Sequence, residues 1–81
     1  MKWIEKDNAL HLELHTPDFL SAYRIVGALV DPAEKMNHHP DVAFGWGYVR
    51  IALTSHDAGA VTSRDRLMAS LIDEALMPLG F

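Results

Sequence analysis

The sequence predicts an α+β domain: an antiparallel four-stranded sheet with two helices packed on one face, in the order ββαββα. Three observations carry this prediction. Leucines alternate with polar residues early in the chain, a second alternating run lies past its middle, and each run precedes a segment with apolar residues at helical spacing.

In residues 3 to 15, Leu10, Leu12 and Leu14 alternate with His11, Glu13 and His15, the period of a half-buried strand. A turn at Asp7-Asn8 divides this segment into a hairpin with Trp3 and Ile4 on the leading strand. Thr16-Pro17-Asp18 then reads as a helix start, with threonine as N-cap, proline at the first helical position and an acid in the first turn. Phe19, Tyr23, Val26, Val30 and Ala33 follow as an apolar stripe, broadened by Leu20, Ala22 and Leu29, and the helix runs to about Met36. Within it, Asp31-Pro32 marks a kink or an early end. The next alternation sets Val49, Ile51 and Leu53 against Tyr48, Arg50, Ala52 and Thr54, so residues 48 to 55 form a strand, with Gly45 and Gly47 in a turn or bulge before it. Finally, Thr62-Ser63-Arg64-Asp65 has the form of a capping box. It opens a helix whose apolar face is Leu67, Met68, Leu71, Ile72, Ala75 and Leu76, closed by Pro78 and Gly80.

Composition bounds what such a chain does. Its 81 residues read as one domain, 1–81, and a domain of this size buries only about 60% of the surface its unfolded chain exposes. Self-association is therefore expected, as a homodimer or homotetramer. The absence of cysteine removes disulfides, thiolate metal sites and cysteine nucleophiles, and fits a cytoplasmic setting. Met1-Lys2-Trp3-Ile4-Glu5-Lys6 carries charge where a signal peptide needs an apolar run, and no stretch approaches the roughly 18 apolar residues of a membrane span. A formal charge of -4, with scattered lysines and arginines, argues against direct nucleic-acid binding.

The chemistry concentrates in the histidines. Glu34 and His38 are four apart and share a face if the helix reaches that far. His39 precedes Pro40, which turns it out of the helical region. If residues 41 to 56 form a hairpin turning near Gly47, its second strand returns His56 to the neighbourhood of Pro40, and three imidazoles converge with a carboxylate. Such a group also reads as a zinc ligand set, and a helix-terminal histidine alone reads as a cap for carbonyl groups. Ser55-His56-Asp57 is no catalytic triad, because neighbours in an extended segment point to opposite faces. His11 and His15, alternating with leucines, read as surface residues. Asp65 reads as a structural cap.

Glu34, the triplet His38-His39-Pro40, Trp46, His56 and Asp65 together resemble the signature of the pterin-4a-carbinolamine dehydratases, each at the family's spacing. Trp3, Asp18-Phe19 and Ala33-Glu34 resemble further family positions. Family members usually begin with another helix ahead of the tryptophan, where this chain has only Met1-Lys2, so the domain is expected to lack it. The resemblance implies a hydro-lyase that removes water from a 4a-hydroxytetrahydropterin produced by an aromatic amino acid hydroxylase. No cofactor or metal is implied. It further implies acid/base roles for His38 and His56, pterin binding and proton relay for His39, and orientation of an imidazole by Glu34. Trp46 is expected either to stack on or wall the planar pterin or simply to pack in the sheet, and Ser55 and Asp57 to touch the substrate. The rival reading is a binding module, using the apolar face of the last helix (Met68, Leu71, Ile72, Ala75) for a partner protein or a second copy.

Overall fold

A computed structural model describes residues 1–81. The predicted α+β architecture is present: strands β1 (Ile4–Lys6), β2 (Ala9–His15), β3 (Asp41–Phe44) and β4 (Tyr48–Leu53) form one antiparallel sheet in the order β1-β2-β4-β3. Helices α1 (Phe19–Ala28), α2 (Val30–Met36) and α3 (Ser63–Leu76) cover one face, and a short 3₁₀ turn, Met77–Leu79, follows. Leu10, Leu12, Val49, Ile51 and Leu53 point from the sheet into the core and meet Ala22, Ile25, Leu29, Ala33, Met68, Ile72 and Leu76 from the helices. The opposite face carries His11, Glu13, Arg50 and Ala52, with no helix over it.

The turn chemistry explains the sheet's order. Asp7 and Asn8 both take positive φ, 52° and 61°, which lets a two-residue turn close the β1–β2 hairpin on the pair Lys6 and Ala9. At the β3–β4 turn, Gly45 lies against the Tyr48 ring, and a Cβ added there would sit 2.6 Å from it, so any larger residue would force the ring to move. Two side chains tie the N-terminal segment to α3: Trp3 Nε1 donates to Asp73 Oδ1 at 2.9 Å, and Arg66 donates to Glu5 at 2.8 Å.

The helices correct the sequence reading in three places. The expected N-cap, Thr16, still belongs to the sheet end: its N–H donates to Gly47 O at 3.0 Å and its hydroxyl to Trp46 O at 2.9 Å. The chain leaves the sheet two residues later, and Asp18 caps α1 by accepting from the Ser21 N–H at 2.7 Å. The long helix is two, with its break at Leu29. Pro32 has no N–H to give the Ala28 carbonyl, so the break falls just ahead of it. Finally, the apolar stripe of α1 is wider than the core it meets. Ala22 and Ile25 are buried, whereas Phe19, Leu20 and Tyr23 are more than half exposed. The last helix does the reverse in part: of the face expected to meet a partner, Met68 and Ile72 are fully buried in the chain's own core, while Leu71 and Ala75 are half-buried.

Ile72 sits at the centre of this packing. Ile72→Ala is expected to lower stability by about 2–5 kcal/mol, read as a fall in the urea midpoint at unchanged m-value.

Candidate active site

The site begins at the end of α2. Asn37 adopts the left-handed conformation (φ 48°, ψ 43°), and the His38 N–H reaches back to Ala33 O while the Asn37 N–H bonds Glu34 O. This pair of bonds is a Schellman ending, and asparagine tolerates the positive φ it requires. The helix therefore stops before His38, and the expected four-residue relation between Glu34 and His38 does not form. Glu34 contacts His39 Nε2 instead. His38 turns inward, and its Nε2 lies 2.5 Å from Asp65 Oδ1.

The other wall comes from the end of β4. Antiparallel pairing of β3 and β4, with Asp41 opposite Ala52, returns the chain to the level of Pro40. Ser55, bridged to Ala60, opens a short loop that carries His56 and Asp57 to the entrance of α3. Residues 37–41, residues 54–57 and Arg64 line one cavity of about 380 Å³, with no apolar side chain in it except the ring of Pro40. His38, His39 and His56 thus line one cavity, as the hairpin predicts, whereas Glu34, the carboxylate expected to join them, does not line it and touches the group only through His39. The His56 ring is exposed and has no hydrogen-bond partner in the protein. Arg64 is a cavity residue that sequence reasoning passed over. Its place in the first turn of α3, next to the capping box, was the available signal; its guanidinium donates to Asp57 at 2.6 Å and holds that carboxyl below its ordinary range.

Trp46 lies elsewhere. It occupies the β3–β4 turn, four residues of strand from the cavity or about 13 Å at 3.3 Å per residue, and is 72% exposed. No three histidine, aspartate or glutamate side chains are grouped closely enough to hold a metal ion, because His38 and His39 each turn toward a different carboxylate. A larger hollow of about 670 Å³ lies over the uncovered sheet face, where His11 is the only histidine.

Asp65 is the best-connected group of the site. Its side chain is fully buried, and Oδ2 accepts from Ser55 Oγ and from the Thr62 N–H, both at 2.8 Å, while Oδ1 faces His38. Burial pushes its pKa up, but the hydrogen bonds from His38, Thr62 and Ser55 outweigh that and bring it below the ordinary value of 3.8. Asp65 also completes the predicted capping box with Thr62.

This α+β domain gathers three imidazoles around one polar cavity, two of them facing carboxylates, and imidazoles so placed have the chemistry to give and take protons near neutrality. The chain belongs to the Pterin 4 alpha carbinolamine dehydratase family, whose model it matches over residues 1–75. A relative from Nostoc punctiforme, provisionally named pterin-4-alpha-carbinolamine dehydratase, is 39% identical over 72 residues, 89% of this chain and 77% of its own. Among solved structures, a transcriptional coactivator/pterin dehydratase from Brucella melitensis superposes with a TM-score of 0.81 at 27% identity, covering 90% of this chain and 80% of that one. A pterin dehydratase-like protein described as a RuBisCO assembly factor in the alpha-carboxysome superposes at 0.70 with 21% identity, over 91% of this chain and 86% of that one; this likeness is one of fold.

Because the Asp65 pKa is lowered on folding, its ionisation contributes stability that is complete above the unfolded value and is lost as pH falls through the lower folded value. Ser55→Ala removes one of its donors, which raises the folded value. The variant is expected to lose about 1–3 kcal/mol at neutral pH and to begin acid unfolding at a higher pH than wild type, measured by urea titrations between pH 2 and 7.

Proposed function

We propose that this chain is a hydro-lyase that removes water from a 4a-hydroxytetrahydropterin to give the quinonoid dihydropterin, recycling the pterin cofactor of an aromatic amino acid hydroxylase. The observation that carries this reading is the meeting of His38, His39 and His56 on one polar cavity in a member of this family. In the reaction the C4a–O bond breaks and the hydroxyl leaves as water after accepting a proton. The neighbouring ring nitrogen gives up its proton, and its electron pair forms the C=N bond. The change is not a redox reaction, and two groups that exchange protons near neutrality suffice for it.

His38 and His56 take the acid and base roles, one from each wall of the cavity. His39 binds the pterin and relays protons, and Glu34 orients His39 rather than His38, in keeping with the contact between them. Ser55 and Asp57 flank His56 and border the substrate, although the Ser55 hydroxyl is already engaged with Asp65 and Thr62. The stacking role for Trp46 has less support, given its distance from the cavity. The protein acts in the cytoplasm as a homodimer or homotetramer, and the exposed Phe19, Leu20 and Tyr23 of α1 supply an apolar surface for that association. The same surface favours the second reading, a module that binds another protein.

The two readings separate in one experiment. Purified wild-type protein is expected to accelerate dehydration of the 4a-hydroxypterin formed in situ by a hydroxylase, and His38→Ala and His56→Ala are each expected to lower kcat by roughly 10²–10⁴-fold while keeping the wild-type circular dichroism. A wild-type protein without activity would leave the binding module as the better account, and an active wild type with two fully active alanine variants would remove His38 and His56 from the acid and base roles.

A further inference from the structure

The capping box gives Asp65 a structural reason to exist, yet only one of its two oxygens is used by the cap. Oδ2 accepts from the Thr62 N–H and from Ser55 Oγ, which leaves Oδ1 to a single partner, His38 Nε2 at 2.5 Å. An ionised carboxylate has no proton to donate. The atom facing Oδ1 must therefore carry one. The other ring nitrogen of His38, Nδ1, has no hydrogen-bond partner in the protein. Every buried side-chain nitrogen or oxygen does have one, so Nδ1 is reached by solvent, and His38 borders the cavity.

We propose that Asp65 is a positioning residue that locks His38 in the tautomer with its proton on Nε2, so that the atom His38 presents to the cavity is Nδ1. The proposal rests on the acid/base reading of the cavity and names the atom that reading needs. In the neutral ring Nδ1 offers a lone pair and accepts a proton. In the imidazolium it is the N–H that gives one up, since the Nε2 proton stays with the carboxylate. Whichever direction His38 works in, the proton it exchanges is the one on Nδ1. The buried site supports this by construction: the Ser55 and Thr62 donors hold the carboxylate still and keep it ionised, and the three hydrogen bonds reach it from three different segments of chain. A histidine without such a partner, as at His56, is free to turn and to hold either tautomer.

Long-range ¹H–¹⁵N correlation spectra of the wild-type protein, with His38 assigned by its loss in His38→Gln, decide the tautomer directly. The expected pattern is a protonated Nε2 and an unprotonated Nδ1 in the neutral ring. The reverse pattern, or an even mixture of both, overturns the proposal whatever the variants do. Asp65→Asn replaces an oxygen by a donor and is expected to abolish the preference and to lower kcat by roughly 10²–10⁴-fold with a much smaller change in KM. Ile72→Ala, which weakens the core without touching the site, is the control for simple destabilisation and is expected to keep the wild-type imidazole pattern under conditions where it is folded. An Asp65→Asn protein that is folded and retains the wild-type tautomer also overturns the proposal. Failure of the dehydratase reading looks different: wild-type protein would show the Nε2–H pattern and no turnover.

Discussion

One buried carboxylate holds the functional end of this molecule together. Asp65 belongs to α3, yet its hydrogen bonds come from the residue after α2, from the loop after β4 and from the backbone at the start of its own helix. A carboxylate in a core is unstable unless its lone pairs are filled, and the cost of leaving one donor out is the cost of desolvating charge. The three partners are therefore coupled: each makes the burial of Asp65 tolerable for the others. The coupling explains how an 81-residue chain with a small core keeps a polar cavity in shape at the margin of its sheet.

Much of this was legible in the sequence because it follows from local rules. Alternation around Leu10–Leu14 and Val49–Leu53 gave the inward faces of the two central strands, and the capping box placed the start of α3. The hairpin through Gly45 and Gly47 was enough to bring His56 back to the His38-His39-Pro40 corner. What escaped was decided by where chains leave their elements. Glu34 and His38 are one helical turn apart in the sequence, but Asn37 ends the helix between them, and a single residue in the left-handed region exchanges the partners: Glu34 goes to His39, and His38 to Asp65. Thr16 has the chemistry of an N-cap, but the sheet claims it first through Gly47 and Trp46. Both cases are competitions between two legitimate hydrogen-bond partners, and tertiary pairing settles them.

The apolar stripe of α1 escaped for a different reason. Periodicity reports which side chains are apolar, not how wide a surface the rest of the fold offers them. Ala22, Ile25, Leu29 and Ala33 fill the strip that α3 and the sheet leave open, while Phe19, Leu20, Tyr23 and Val30 remain outside it. Phe19 stacks on Phe44 of the edge strand β3, with ring centroids 5.5 Å apart, so this exposed apolar surface continues from the helix to the sheet margin. None of these side chains lines the histidine cavity. The apolar surface and the polar cavity are therefore built from different side chains, so a change in one leaves the lining of the other intact.

The three imidazoles of the cavity are not equivalent, and their differences follow from burial. The His38 side chain is 11% exposed against a carboxylate that is fully buried, so water competes little for that hydrogen bond and the ring is held before any ligand arrives. His39 and Glu34 are both more than half exposed, and a pair so open to solvent is weakly held and readily exchanged. His56 has no partner at all. A cavity graded in this way fixes one ring by a buried carboxylate and leaves His56, on the opposite wall, without a protein partner. In the proposed dehydration, a ring already fixed by Asp65 would need no reorientation when its proton moves, whereas His56 would take its orientation from the molecule bound beside it.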